Sequence, residues 1–94
     1  GNYGISVGWN AEMTSEYATA IGYNAYCNGK SGMAIGRQCT TSAENAIGIG
    51  YSSLIAGEGA IGIGFEAATT EKYAIAIGYQ ASTTDSNAIA IGVK

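Results

Sequence analysis

Apolar side chains recur along this chain with two periods at once. Within short stretches they alternate, as in Tyr73-Ala74-Ile75-Ala76-Ile77, and the whole stretch returns every fourteen residues. The glycine that closes each stretch keeps the count: Gly8, Gly22, Gly36, Gly50, Gly64, Gly78 and Gly92, with no insertion or deletion between them. So strict a repeat predicts a stack of equivalent supersecondary units, each able to bury its apolar face only against its neighbours.

Aligning the units on that glycine resolves the pattern into columns. One position before it stand Val7, Ile21, Ile35, Ile49, Ile63, Ile77 and Ile91; three before it stand Ile5, Thr19, Met33, Ile47, Ile61, Ile75 and Ile89. Two and four positions before it, every residue is Gly, Ala or Ser. Period-two alternation rich in β-branched side chains predicts a strand, five residues long in each unit, for example Tyr73 to Ile77. A second, weaker strand follows a turn. Its residues three and five positions after the glycine (Ala25, Cys39, Ser53 and Ala67; Cys27, Thr41, Ile55 and Thr69) are expected to face inward. The mostly polar residues around them, among them Glu12, Thr14, Asn28, Thr40, Ser42, Thr70, Ser82 and Thr84, are expected to face outward.

Two strands and two turns make one rung. Stacked rungs set like strands side by side in parallel, about 4.8 Å apart, so seven rungs rise roughly 30 Å. The predicted fold is all-β: a parallel β-roll or β-solenoid of fourteen-residue rungs, one repeat domain over 1–94, read as a piece of a longer fibrous protein. At the marker glycine the chain must reverse within two or three residues, and glycine alone takes positive φ there without steric cost. The expected core is the isoleucine face: Ile21, Ile35, Ile47, Ile49, Ile61, Ile63, Ile75, Ile77, Ile89 and Ile91. The Gly/Ala face is then left as a flat apolar strip with no partner in the chain. Such strips mark interfaces, so an obligate homo-oligomer is expected.

Composition narrows the function. The net charge is −3, so the basic footprint of a nucleic-acid binder is missing. No apolar run approaches the roughly 20 residues of a membrane span. The chain has no histidine and one aspartate, Asp85, so neither a Ser–His–Asp arrangement nor a zinc-ligand spacing can be assembled. No catalytic, cofactor or metal residue is assigned. Gly57-Glu58-Gly59-Ala60-Ile61-Gly62 spells a dinucleotide-loop pattern, but another rung follows it instead of a helix that could hold a phosphate.

Two further columns form ladders. Directly after the marker come Trp9, Tyr23, Arg37, Tyr51, Phe65, Tyr79 and Val93, which in-register stacking places one above another. Eight after it, Glu16–Lys30–Glu44 and Glu58–Lys72 alternate in sign, which supports register at ~0.5 kcal/mol per exposed pair. On the outward line Glu12, Tyr26, Thr40, Leu54 and Ser82 follow one another. The candidate surface-binding residues are Tyr23, Tyr26, Tyr51, Leu54 and Tyr79.

The recurring A-I-A-I-G-x-x-A, as at Ala74–Ala81, resembles the head repeats of trimeric autotransporter adhesins, the YadA-like head. The resemblance covers essentially the whole chain. It implies a homotrimer of left-handed parallel β-rolls, carried on a surface-anchored fibre, that attaches to a host glycan or surface protein. Similar repeats occur in phage and viral tail fibres, where a segment of this kind is a structural spacer on the virion. Cys27 and Cys39 depart from the adhesin pattern. They lie in neighbouring rungs but different inward columns, roughly 8 Å apart at Cα by strand geometry, too far for an unstrained disulfide. They read as small buried hydrophobes, and free thiols suit a protein folded in a reducing cytosol. Threonine pairs such as Thr83-Thr84 raise ice binding, but rungs one, two and four lack them.

Overall fold

A computed structural model describes residues 3–93 of the chain. In chain order its strands are β1 (Ile5–Val7), β2 (Glu12–Met13), β3 (Thr19–Ile21), β4 (Tyr26–Cys27), β5 (Met33–Ile35), β6 (Thr40–Thr41) and β7 (Ile47–Ile49). The second half continues as β8 (Leu54–Ile55), β9 (Ile61–Ile63), β10 (Ala68–Thr69), β11 (Ile75–Ile77), β12 (Ser82–Thr83) and β13 (Ile89–Ile91). The odd-numbered strands form one sheet of seven and the even-numbered strands another of six, each in simple sequential order. Every pairing is parallel and offset by one rung: Ile5 lies opposite Thr19, Glu12 opposite Tyr26, Ile75 opposite Ile89. This is the predicted β-solenoid.

Hydrogen bonds run between rungs, and they continue through the corners. In the first sheet Ile47 N–H donates to the Ala60 carbonyl at 2.9 Å and Gly64 N–H to that of Ile49 at 2.8 Å. At the corners Asn24 N–H donates to the Trp9 carbonyl at 3.0 Å and Tyr73 N–H to that of Glu58 at 2.9 Å. Turn backbone that would otherwise need water is thus paired along the stack.

The predicted five-residue strand is three residues long. Tyr73 is not its first residue, because its φ is 60°, in the left-handed region. Tyr17, Ser31, Asn45 and Asn87 take the same turn with φ between 59° and 62°. Left-handed backbone costs a non-glycine residue about 1–2 kcal/mol. The inter-rung bonds donated by the amides of Ser31, Asn45, Tyr73 and Asn87 help to offset it. The marker glycines are a separate case: their φ lies between 122° and 131°, and a Cβ on Gly22 would sit 2.6 Å from the Gly36 carbonyl oxygen. Conformation and close approach both require glycine there.

The inside of the roll is the reverse of the expectation. Ala18, Ala20, Ala34, Ala46, Ala60, Ala74 and Ala76 are fully buried and face the inward columns of the second sheet, Ala25, Cys27, Cys39, Thr41, Ser53, Ile55, Ala67 and Thr69. The residues expected as core point outward: Ile21, Ile35, Ile47, Ile49, Ile61, Ile63, Ile75 and Ile77 are only half-buried, and Ile89 and Ile91 are exposed. The cause is the narrowness of the roll, whose Cα envelope is 11 Å across its thinnest axis. With methyl-sized side chains on one wall and Thr, Cys or Ser on the other, the gap is full. A Cβ on Gly48 would already lie 2.6 Å from Thr41 Oγ1 and 2.7 Å from Ile55 Cγ1. Isoleucine on the same wall has nowhere to go.

Ile55 is the largest fully buried side chain, and the wall gives way around it. Gly48 and Gly62 replace alanine in the two rungs that flank it, and a Cβ on Gly62 would collide with Ile55 Cδ1. Gly62→Ala is therefore expected to cost about 1–3 kcal/mol by overpacking. Ile55→Val removes the colliding atom at a cost of about 1 kcal/mol. Urea melts of the two single variants and the double variant check this. The double variant should be at least about 1 kcal/mol more stable than additivity allows.

Candidate binding surfaces

Three surfaces follow from this geometry. The first is the outer face of the seven-stranded sheet. There the two isoleucine-rich columns lie in register from rung to rung, Ile47–Ile61–Ile75 beside Ile49–Ile63–Ile77. The strip is apolar except at Thr19, and none of the described residues covers it. At its ends Ile5 is 54% and Ile91 71% exposed.

The second surface is the ladder at the corner after the marker glycine. Trp9 stacks on Tyr23 with ring centroids 5.0 Å apart, Tyr51 on Phe65 at 5.4 Å and Phe65 on Tyr79 at 5.0 Å, all nearly parallel. Arg37 takes a ring's place in the middle, its guanidinium carbon 5.7 Å from the Tyr23 centroid and 5.3 Å from that of Tyr51. The ladder is continuous over six rungs, and cation–π attraction carries it across the arginine. The rung-to-rung bond from each following residue, such as Gln80 N–H to the Phe65 carbonyl at 2.7 Å, fixes its spacing.

The third surface is the outer line of the six-stranded sheet, where Glu12, Tyr26, Thr40, Leu54, Ala68 and Ser82 stand in register. Leu54 is exposed and Tyr26 half-buried on this line. Of the predicted surface residues, the structure brings Tyr23, Tyr51 and Tyr79 into one ladder and sets Tyr26 and Leu54 on a separate face. On the edge beside them Lys30 pairs with Glu16 and Lys72 with Glu58, both at 3.9 Å, and no pair joins Lys30 to Glu44 among the described residues. Sequence reasoning missed the isoleucine strip as a surface. The signal was present in the strict Gly/Ala/Ser limit of the alternate columns, which reports a tight interior.

Cys27 and Cys39 are buried free thiols, as their columns predict. Burial pushes the Cys39 thiol up from 9.0 to about 11; hydrogen bonds with Ile35 and Thr41 oppose the rise, and nearby Cys27 adds to it. The folded state thus holds this proton more tightly than the unfolded state. The resulting stability is complete below pH 9 and is lost as pH rises toward 11, at about 1.4 kcal/mol per pH unit. Urea melts at pH 8 and pH 10.5 should show that loss, and Cys39→Ala should remove most of it. Iodoacetamide at pH 8 should label neither thiol until the chain unfolds.

The profile of the YadA head domain repeat matches residues 1–25, 28–53, 56–81 and 70–94. The chain belongs to the YadA head repeat family. Among solved structures, the collagen-binding domain of the Yersinia adhesin YadA matches this YadA-type roll with a TM-score of 0.73 at 24% identity. The match covers 99% of this chain and 60% of that one, so the roll spans about three-fifths of that relative's length. At this identity the likeness is one of fold. No curated protein sequence matches the chain. The fourteen-residue rung, the glycine corner and the small-residue interior are thus found in a chain of the YadA head repeat family.

Proposed function

We propose that the chain is a head segment of a homotrimeric, surface-exposed adhesive fibre that attaches to a host matrix protein of the collagen type. The observation that carries this reading is the uncovered isoleucine strip. A flat apolar band over seven rungs needs a partner of the same length and periodicity, and a second and third copy of the roll supply it. With the strips turned toward a common axis, the aromatic ladder and the outer line of the six-stranded sheet remain as lateral surfaces. The family is that of the YadA head domain repeat, and the solved relative is the collagen-binding domain of a Yersinia adhesin. Both support attachment as the activity and the cell surface as the place, with the roll as one segment of a longer fibre. Left-handed coiling goes with this reading.

Light scattering across a dilution series should give three times the 9.5 kDa chain mass. The trimer is then tested on surfaces coated with fibrillar collagen, on other matrix proteins and on a glycan array. Retention on collagen supports the proposal, and retention only on glycans replaces the receptor class. Silence on all of them favours the second reading, a rigid spacer of a phage or viral tail fibre. One observation speaks for that reading: the two buried free thiols suit folding in a reducing cytosol.

A further inference from the structure

A periodic apolar strip leaves the alignment of its partners open. In the last four rungs the strip repeats without change: Ile47 and Ile49, Ile61 and Ile63, Ile75 and Ile77, Ile89 and Ile91. These pairs lie opposite one another from strand to strand. Two copies of the roll meeting on this face can slide by one rung, about 4.8 Å, and find the same side chains again. Such a slip gives up contact at one rung of the seven and leaves the rest as well packed as before.

Only the first three rungs differ: Ile5 with Val7, Thr19 with Ile21, Met33 with Ile35. Val7 and Met33 are still apolar, and methionine adapts to most neighbours. Thr19 alone carries a hydroxyl. It stands between Ile5 and Met33 in one column, half-buried on the outer face of β3, while Ala18 and Ala20 on either side fill the interior. Its amide is used within the roll, donating to the Gly32 carbonyl at 3.0 Å. Its hydroxyl is not. The Thr41 hydroxyl donates to the Met33 carbonyl at 2.8 Å, whereas that of Thr19 has no partner among the described residues. Threonine has the shape of valine, so it fits an apolar strip, but it brings a donor and acceptor that must be met from outside the roll.

We infer that Thr19 sets the axial register of the trimer by bringing three hydroxyls to one level. The inference rests on the trimeric reading above, with the strips turned inward, and adds the residue that selects one alignment. In register, one layer around the axis holds three Thr19 and three Ile21 side chains. Threonine is shorter than the isoleucine of the uniform layers, which leaves room for the hydroxyls to bond one another or a shared water. Slipped by one rung, a Thr19 hydroxyl faces Ile5 or Met33 of its neighbour and is buried without a partner. Displacements around a closed ring sum to zero, so one displaced copy spoils two interfaces at once. A single polar position in an apolar coiled-coil seam fixes register by the same physics, at some loss of stability.

The test is the methyl NMR spectrum of the trimer, checked for mass, with the isoleucine δ1-methyls labelled. One alignment gives one resonance per isoleucine, as the parent should show; a mixture gives several for each strip isoleucine. Ile55 is the internal control, since it is fully buried inside the roll and should keep one resonance in every variant. Thr19→Ile should keep the threefold mass and a melting temperature equal to or above the parent's, yet split the strip resonances. Thr19→Val, which keeps the shape and removes the hydroxyl, should split them too, and Thr19→Ser should not. Adding Ile61→Thr to Thr19→Ile moves the hydroxyl layer to another rung and should restore a single set. A single set in both Thr19→Ile and Thr19→Val would overturn the inference and leave the trimeric reading standing, as would several sets in the parent. Dissociation of Thr19→Val would also overturn it, because the hydroxyl would then hold the copies together instead of choosing their alignment. A parent with the mass of one chain would overturn the trimeric reading and the inference with it.

Discussion

Gly36→Ala is expected to unfold the middle of the stack, with a loss of about 3 kcal/mol or more. Two independent penalties meet at this position. Its φ of 130° lies where L side chains are strained, and a new Cβ would stand 2.6 Å from the carbonyl oxygen of Gly50 in the next rung. The neighbour cannot retreat, because Gly50 N–H is itself bonded to the Ile35 carbonyl at 2.8 Å. Any shift at one corner is passed to both adjoining rungs. Denaturant melts of the variant against the parent measure the effect. Asn24→Gly is the control: the asparagine already sits at φ 57°, so glycine there should change stability by less than about 0.5 kcal/mol. Equal losses at the two positions would show that the glycine corner has no special role.

The second large effect is expected on assembly. Ile49→Glu combined with Ile63→Glu places two carboxylates on adjacent rungs in the middle of the isoleucine strip. In a single roll these positions are half-buried at a solvated surface, so the chain should remain folded with unchanged circular dichroism. In a trimer with the strips turned inward, six uncompensated charges would crowd the axis. Each buried ion costs several kcal/mol, far more than subunit contacts can absorb. The mass should fall to that of one chain at micromolar concentration and recover in part as pH drops below 4 and the carboxylates protonate. A mass that stays threefold would move the interface to another face.

These expectations separate what the sequence discloses from what it conceals. Repeat length, parallel register, glycine corners and the stacked column at Trp9, Tyr23, Arg37, Tyr51, Phe65 and Tyr79 were all legible, because each is a statement about spacing and a strict period transmits spacing without loss. The choice of inward face was not. Hydrophobicity alone ranks Ile75 above Ala76 for the core, and that ranking presumes room. Here corner geometry fixes the gap between the sheets first, and volume then excludes the larger side chain. Alternate glycines opposite Ile55 carried that information in coded form. Strand length was overestimated for a related reason: Tyr73 has high strand propensity, yet its place in the rung demands left-handed backbone, and the stack overrides local preference. The candidate contacts Tyr26 and Leu54 were correctly set in one line, but that they face away from the tyrosine ladder becomes visible only in three dimensions.

Equivalence of the rungs has a consequence for how such a molecule changes over generations. Because every rung hands the same hydrogen-bond ladder to the next, a duplication or deletion of fourteen codons leaves each remaining junction intact. Length is then inherited in whole steps of about 4.8 Å, and the reach of the roll can be lengthened or shortened by slippage within one gene, with no new fold to be found. Inserting any other number of residues misaligns the columns on one side of the join. Selection acting on reach would therefore leave its record as a count of repeats, not as substitutions within them.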